Sequence, residues 1–457
     1  MEVPRPIAAV REMVDEAARR SPARLTLVAF AGIIAIFTGL LSLPAATADG
    51  VRHASFVDTL FTAVSAVCVT GLTVVDTGTH WSTFGQAIIL LAIWVGGLGV
   101  MTLASILGLA VSRRIGLTQK LLAQAEVGSR GLGEVGSLIR VVVITSLTIQ
   151  GGIAALLVPR FMVLHESAGE AVWHGVFYAV SSFNNAGFVP TPEGLVPYVG
   201  DWWVCLPIAL GVFVGSLGFP VIFNLARHGW RFRHLTLHSK LTITMSLAVL
   251  GATTLLLGAM EWANERTLGG LPVHERILAS IFAGVMPRSG GLSTIDVGEM
   301  HEASWLLTDA VMFIGGGSAS TAGGIKVTTF AILLLAILSE ARGDRDMEAF
   351  GRRIPRETLR LAVAVTMVGA VMVLVATLLV LEITSLSLDV VLFEVISAFG
   401  TVGLSTGITP ELQDSAKYVL AGLMFAGRTG TITVAAALAL RDRRRVIRYP
   451  EERPIIG

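Results

Sequence analysis

An all-α polytopic membrane protein is the fold class this sequence predicts: four repeats of span, pore half-helix and span, in a pseudo-fourfold arrangement around one pore. Three observations predict it. The 457 residues are 53% hydrophobic and 15% charged, with mean hydropathy +0.73, whereas a soluble domain carries about 25% charged residues. Only helices and closed barrels satisfy every backbone polar group in lipid. The alternating strands of about ten residues that a barrel needs are absent from the sequence. The second observation is a half-helical segment that recurs four times, and the third is the crowding of Lys and Arg onto one side of the membrane.

The recurring segment is FTAVSAVCVTGLT at 61–73, FYAVSSFNNAGFV at 177–189, IFAGVMPRSGGLS at 281–293 and FEVISAFGTVGLS at 393–405. In each, an apolar residue (Phe61, Phe177, Ile281, Phe393) stands ten positions before a glycine (Gly71, Gly187, Gly291, Gly403), and Leu or Phe follows that glycine. Ser65, Ser181 and Ser397 share one offset, where the third copy has Val285. The glycines are 116, 104 and 112 residues apart, so the pattern is an internal repeat. Gly, β-branched residues and hydroxyls end each apolar helix. A helix of about ten residues rises about 15 Å, roughly half of a ~30 Å hydrocarbon core. Each copy therefore predicts a helix that enters the membrane and returns as loop, with its backbone lining a cavity or enclosed in protein.

In chain order, residues 1–24 form a charged tail, and no cleavable signal peptide is expected. Repeat one occupies 25–111, with spans at 25–43 and 84–111; Gly96, Gly97 and Gly99 in the second allow close helix contact. Repeat two occupies 136–226, with spans at 140–164 and 202–226. Repeat three occupies 241–340: a span at 241–260, then an apolar stretch over 304–340 that would be about 55 Å long as one helix. The run GGGSASTAGGIK at 315–326 interrupts it, predicting helix, intramembrane loop, helix. Repeat four occupies 358–440, with spans at 358–382 and 416–440, and 441–457 is a basic tail.

Of the 34 Lys and Arg, 26 fall in the two tails and the segments 112–139, 227–240 and 341–357 with their flanks. Six (Arg52, Arg160, Arg266, Arg276, Arg288, Lys417) fall on the other side, and Lys326 and Arg428 lie within spans. Positive residues mark the cytoplasmic side. Both termini are thus expected in the cytoplasm of a multi-pass cell-membrane protein, with all four half-helices entering from outside.

Four loops of turned backbone meeting on an axis would present rings of carbonyl oxygens, which replace the hydration shell of a cation. The half-helices point their partially negative C-terminal ends at the same place. Glycine leaves room for carbonyls to face the axis. No Asp or Glu recurs at the loops, which leaves a monovalent cation as the ion. From the residues alone, the conclusion stops at a permeation pathway for such an ion.

The segments VTGLTVVD, FNNAGF, RSGGLSTID and SAFGTVGLSTGITPEL, with GGGSASTAGGIKVTTF, resemble the Trk/Ktr/HKT superfamily of potassium transporters over about residues 25–440. Eight spans without an additional N-terminal pair are most similar to the Ktr membrane subunit. The resemblance implies filter carbonyls from Val69, Thr70 and Gly71, from Asn185, Ala186 and Gly187, from Ser289, Gly290 and Gly291, and from Thr401, Val402 and Gly403. In the superfamily, glycine in all four loops accompanies potassium selectivity. Loop three departs from the pattern, with Leu292 where Phe is usual and Met286-Pro287 ahead of Arg288. The 315–326 run resembles the family's gating loop, which makes Gly315, Gly316, Gly317, Ser318, Gly323, Gly324 and Lys326 gate residues. The resemblance further implies a homodimer with one pore per subunit, a cytosolic nucleotide-binding regulatory ring, and frequent stimulation by sodium. The basic cytoplasmic segments are docking surfaces for that ring, or products of topology alone.

Arg428, in FAGRTGT, is a charge inside a span and so a functional candidate. It is either a barrier near the axis, as the family's arginine is proposed to be, or a structural group bonded to carbonyls of 315–324. Lys326 reads as a charge near the cytoplasmic edge. The 315–326 run is not a phosphate loop, because Ile325 separates the last glycine from Lys326 and no strand precedes it. Asp58, Asp76, Glu275, Asp296, Asp389 and Glu411 are expected in solvent at the outer mouth, and Glu394, one step into the fourth half-helix, is expected as a helix-start charge ahead of the alternative, a role in ion entry. Cys68 and Cys205 exclude a disulfide framework and are expected as free thiols. The histidines lack metal-ligand spacing, so no cofactor, metal-enzyme activity or nucleic-acid partner is expected. The competing classes are a secondary transporter built on broken helices, whose repeats are commonly inverted, and an intramembrane hydrolase with a serine among 316–321.

Overall fold

The computed structural model describes residues 22–114, 133–164, 167–229 and 231–440. The two expected tails, apart from residues 22–24, and most of the basic segment 112–139 lie outside these residues. The described chain is helical apart from one short hairpin. Helix α1 is Pro22–Leu41, α2 Phe56–Val67, α3 Thr83–Arg114, α4 Gly133–Val163 and α5 Ala168–Asn184. Then follow α6 Trp202–Leu217, α7 Phe219–His228, α8 Leu237–Glu261, α9 Val273–Val285 and α10 Glu302–Phe313. The remainder are α11 Val327–Arg342, the hairpin β1 Met347–Ala349 and β2 Arg352–Ile354, then α12 Arg356–Ile383, α13 Leu388–Gly400 and α14 Asp414–Leu440.

The four repeated segments lie on α2, α5, α9 and α13 and the loops that follow them. At 12 to 17 residues these helices rise about 18–26 Å, too short to cross a ~30 Å core. Local signals fix where they begin. The Ser55 hydroxyl accepts from the Asp58 amide at the start of α2, and Ser167 and Glu170 form a reciprocal capping box on α5. Their ends are fixed by a left-handed residue. Val69, Asn185 and Thr401 have φ of 57°, 60° and 46°. At each, the next amide reaches back five residues: Thr70 to Ser65 O, Ala186 to Ser181 O and Val402 to Ser397 O, all at 2.8 Å. This is the Schellman closure of a helix C-terminus. Loop three also has a left-handed residue, Ser289 with φ of 67°, but there the next amide, Gly290, reaches back four residues, to Met286 O at 2.8 Å, after Met286-Pro287-Arg288.

Each helix that follows a loop packs on the next half-helix. Thus α3 packs on α5, α6 on α9, α10 on α13, and α14 returns to α2. Phe61, Phe177 and Phe393, which open three of the repeats, are fully buried in one continuous apolar core.

Three described helices are each long and apolar enough to cross a membrane, within α4, α8 and α12. The number is four if the bent pair α6–α7 is one span, against the eight spans expected from hydropathy. The stretch 304–340 is divided, as expected, into α10 and α11 by a loop at 314–326. The fourth expected span is not a straight helix: α6 and α7 meet at an angle of 99°. Gly218, with φ of 90°, makes the break, and Pro220, which has no amide to donate, sits in the first turn of α7. The charged segment 341–357 contains the β1–β2 hairpin.

Candidate functional site: a ring of four glycines and the loop packed against it

The four repeat glycines stand side by side. A Cβ placed on Gly187 would lie 3.1 Å from the Cα of Gly71 and 3.2 Å from that of Gly291. One on Gly291 would lie 3.2 Å from the Cα of Gly403, and one on Gly403 would lie 3.1 Å from that of Gly71. The neighbour relations close in the order 71, 187, 291, 403. All four have positive φ, from 69° to 96°, a region that only glycine enters without strain. Peptide oxygens crowd the same place: Ala186 O faces the Cβ position of Gly71, Val402 O that of Gly291, and Thr70 O that of Gly403. The repeated serines brace this backbone. Ser65 Oγ accepts from Gly71 N–H at 3.0 Å, Ser397 Oγ accepts from Gly403 N–H at 3.1 Å, and Ser181 Oγ donates to Phe188 O at 2.7 Å.

A second set of glycines seats the half-helices. Gly96, Gly215 and Gly427 lie where a Cβ would strike the carbonyl oxygens of Val67, Phe183 and Phe399. Each of those oxygens belongs to the residue four before a ring glycine. Sequence reading singled out Gly96 but passed over Gly215 and Gly427; their constant relation to the repeat was the available signal.

The loop 314–326 packs against the feet of the ring loops. It is pinned to itself by Gly315 N–H to Ile325 O at 2.8 Å and Val327 N–H to Gly316 O at 2.9 Å. Thr321 Oγ1 donates to Asn185 Oδ1 at 3.0 Å, and Gly323 N–H donates to Ser289 Oγ at 3.3 Å. Ser289 Oγ in turn donates to Thr401 O at 2.6 Å. A Cβ on Gly323 would strike Thr401 Oγ1, and one on Gly324 would lie 3.2 Å from the Cα of Gly400. From the α6–α7 corner, Ser216 O accepts from Gly317 N–H at 2.7 Å and Phe219 N–H donates to Ala319 O at 3.2 Å. The loop thus touches left-handed residues of ring loops two, three and four.

Two cations hold this loop. Arg428, 1% exposed, donates through Nη1 to Thr321 O, so the bond to loop carbonyls is present. Lys326 Nζ donates to Ala322 O at 2.6 Å, inside its own loop. Ser318 is half-buried, its hydroxyl 3.1 Å from Thr328 Oγ1.

Three charged residues sit elsewhere than hydropathy suggests. Arg288, counted with the outer residues, is 2% exposed; its guanidinium donates to Ser246 O at 3.2 Å and Ser246 Oγ at 2.9 Å and lies over the Phe213 ring. Asp58, expected in solvent, pairs with Lys417 at 2.7 Å. Glu394 is not at a helix start but seven residues into α13, 1% exposed, accepting from Ser405 Oγ and from Thr409 Oγ1. A window average over an apolar stretch cannot register a charge satisfied by hydroxyls far along the chain. Cys68 and Cys205 are buried free thiols. Among the described residues no group of three or more His, Cys, Asp or Glu could hold a metal ion.

Set against known families, residues 28–444 match the model of TrkH, described as a cation transport protein. The chain belongs to the TrkH family. Its function is transport, not catalysis. Relatives of this TrkH-family chain include the Ktr system potassium uptake protein B of Bacillus subtilis. The two are 36% identical over 447 residues, covering 98% of this chain and 99% of that protein. The protein of the same name from Vibrio alginolyticus is 34% identical, over 95% and 94% of the two chains. The fold resembles that of the potassium transporter TrkH from Vibrio parahaemolyticus, with TM-score 0.69 over 89% of this chain and 83% of that one, at 17% identity. The TrkH-family chain described here is accordingly a multi-pass, all-α membrane protein.

Proposed function

We propose that this protein is the ion-conducting subunit of a Trk/Ktr-type system that takes up potassium across the cell membrane. The observation that carries the reading is the closed ring of Gly71, Gly187, Gly291 and Gly403, with the peptide oxygens of Thr70, Ala186 and Val402 turned to it. Peptide oxygens at that spacing replace the water around a large monovalent cation. The names of the relatives supply potassium as the ion.

In this reading the four repeats surround one pore with pseudo-fourfold symmetry. The cyclic packing of each second helix on the next half-helix, from α3 on α5 round to α14 on α2, supports it. The filter is formed by Val69–Gly71, Asn185–Gly187, Ser289–Gly291 and Thr401–Gly403. The loop 314–326, with Arg428 and Lys326, is the gate below it. Both termini and the 341–357 hairpin face the cytoplasm, as the Lys and Arg distribution favours. The working form is a homodimer controlled by a cytosolic nucleotide-binding ring of the kind that family membership implies. Arg342, Arg345, Arg352 and Arg353 offer that ring a basic surface.

The test is flux. The purified protein in liposomes should carry potassium and rubidium down their gradients and carry sodium poorly, and its gene should restore growth at low potassium to an uptake-deficient strain. Equal sodium and potassium flux, or no cation flux from a folded protein, would overturn the reading.

A further inference from the structure

One buried carboxylate near the ring is unused by this account. Glu394 follows Phe393, so its equivalents in the other repeats are Thr62, Tyr178 and Phe282. These four positions do different things. Thr62 Oγ1 donates within its own helix, to Asp58 O at 2.8 Å. Phe282 is buried apolar surface. Tyr178 staples the loop that leaves Gly187: its hydroxyl lies 2.5 Å from Thr191 Oγ1 and donates to Gly194 O at 3.2 Å. Glu394 staples the loop that leaves Gly403 in the same way, through Oε1 to Ser405 Oγ and to Thr409 Oγ1 at 3.1 Å.

The comparison within the molecule separates two roles. A neutral hydroxyl suffices to fasten the outer loop in repeat two, so fastening does not explain a charge in repeat four. The carboxylate is 1% exposed, and no basic side chain among the described residues pairs with it. The Thr406 amide also faces the carboxylate, but the second carboxylate oxygen, Oε2, is buried with no hydrogen-bond partner of its own, and so is Thr406 Oγ1 in the same loop. An ionised carboxylate is an acceptor with room for several partners, and an unpaired buried one is costly unless a cation or water meets it. Ser405 stands two residues beyond Gly403, on the segment leading out of the ring.

We propose that Glu394 is an outer binding group for an alkali cation, holding the incoming ion through Oε2 before it enters the ring. This rests on the reading of the ring as a potassium pathway. A carboxylate at this one position breaks the fourfold pattern, and a cation held against it favours its ionised form, so that the group raises ion occupancy ahead of the ring. Oε1 fastens the loop, and Oε2 faces the ion.

The test compares E394Q with wild type, both full-length and reconstituted in liposomes, using rubidium flux. The amide keeps an oxygen for Ser405 and Thr409 and removes the charge. The expected result is an apparent KM for rubidium raised about fivefold or more, with maximal rate and melting temperature near wild type. E394D should keep KM within about twofold of wild type. Y178F, which loosens the other outer loop without touching charge, should lower the melting temperature and leave KM alone. An unchanged KM in E394Q overturns the proposal and leaves the potassium reading standing. No rubidium flux in wild type overturns that reading, and this proposal with it. If E394Q does not fold, a hydrophobic carbodiimide on the wild-type protein decides the matter. Labelling of Glu394 should slow in potassium chloride relative to N-methylglucamine chloride, and equal rates overturn the proposal.

Discussion

Arg428 donates to the carbonyl oxygen of Thr321, a bond that ties α14 to the loop beneath the glycine ring. Nε and Nη2 of the same guanidinium are buried without hydrogen-bond partners, and no carboxylate among the described residues pairs with it. The bond and the charge make separable contributions. Arg428→Ala removes both, leaving Thr321 O unpaired at a cost of about 1–3 kcal/mol and freeing the loop. Basal flux should rise about tenfold, a barrier drop of about 1.4 kcal/mol. Arg428→Lys keeps the charge. If charge alone restrains the ion, Lys flux stays at the wild-type level; if the fork to the loop matters, Lys leaks like Ala. Rubidium efflux from loaded liposomes separates the two.

Gly71 has no room for a side chain. A Cβ there would lie 2.7 Å from the Cα of Gly187 and closer still to Ala186 O, and its φ of 95° strains any other residue. Gly71→Ser should force the ring apart at that corner. The expected outcome is a loss of potassium-over-sodium discrimination of about tenfold or more, measured by competition between the two ions for rubidium uptake. Gly251→Ala, on α8 where a Cβ meets nothing within 4 Å, should leave discrimination unchanged.

Gly218 joins the bend between α6 and α7 to the gate loop. Its φ is 90°, and a Cβ would lie 2.5 Å from Ser318 O. The neighbouring Phe219 N–H holds Ala319 O. Gly218→Ala should push Ser318 away and weaken that bond, raising basal flux as Arg428→Ala does but with ion discrimination intact. A change in discrimination without a change in basal flux would place Gly218 in control of the ring rather than the loop.

The half-helices and the interrupted stretch 304–340 were legible in the sequence because glycine and hydroxyl clusters break an apolar run in a way no continuous span tolerates. The ring residues were legible because a repeat marks them four times. What hydropathy concealed depends on partners far along the chain. Arg288 meets Ser246, and Glu394 meets Ser405 and Thr409. None of these pairs has a periodic signature. The bend at Gly218 was written in SLGFP, but the surrounding apolar residues kept the window average high. Gly215 and Gly427 were hidden for a related reason: a glycine seating a carbonyl looks like any glycine in a span.

Lys417 and Asp58 close the molecule on itself. They lie 359 positions apart and join the first turn of α14 to the first turn of α2, with 2.7 Å between Nζ and Oδ1. Their side chains are only 9% and 19% exposed. Ser55 Oγ also donates to Asp58 Oδ2 at 2.8 Å, so the carboxylate is held on its other oxygen as well. Breaking a buried pair from one side strands the other charge, at a cost of about 3–5 kcal/mol. Asp58→Asn and Lys417→Met should each lower the melting temperature in detergent markedly. The double variant should recover much of the loss, because neither charge is then left alone. The coupling measured by the cycle should reach about 1–3 kcal/mol. Additive losses would show that the two residues act independently, and that the first and last units are held together by the apolar packing of α14 on α2 alone.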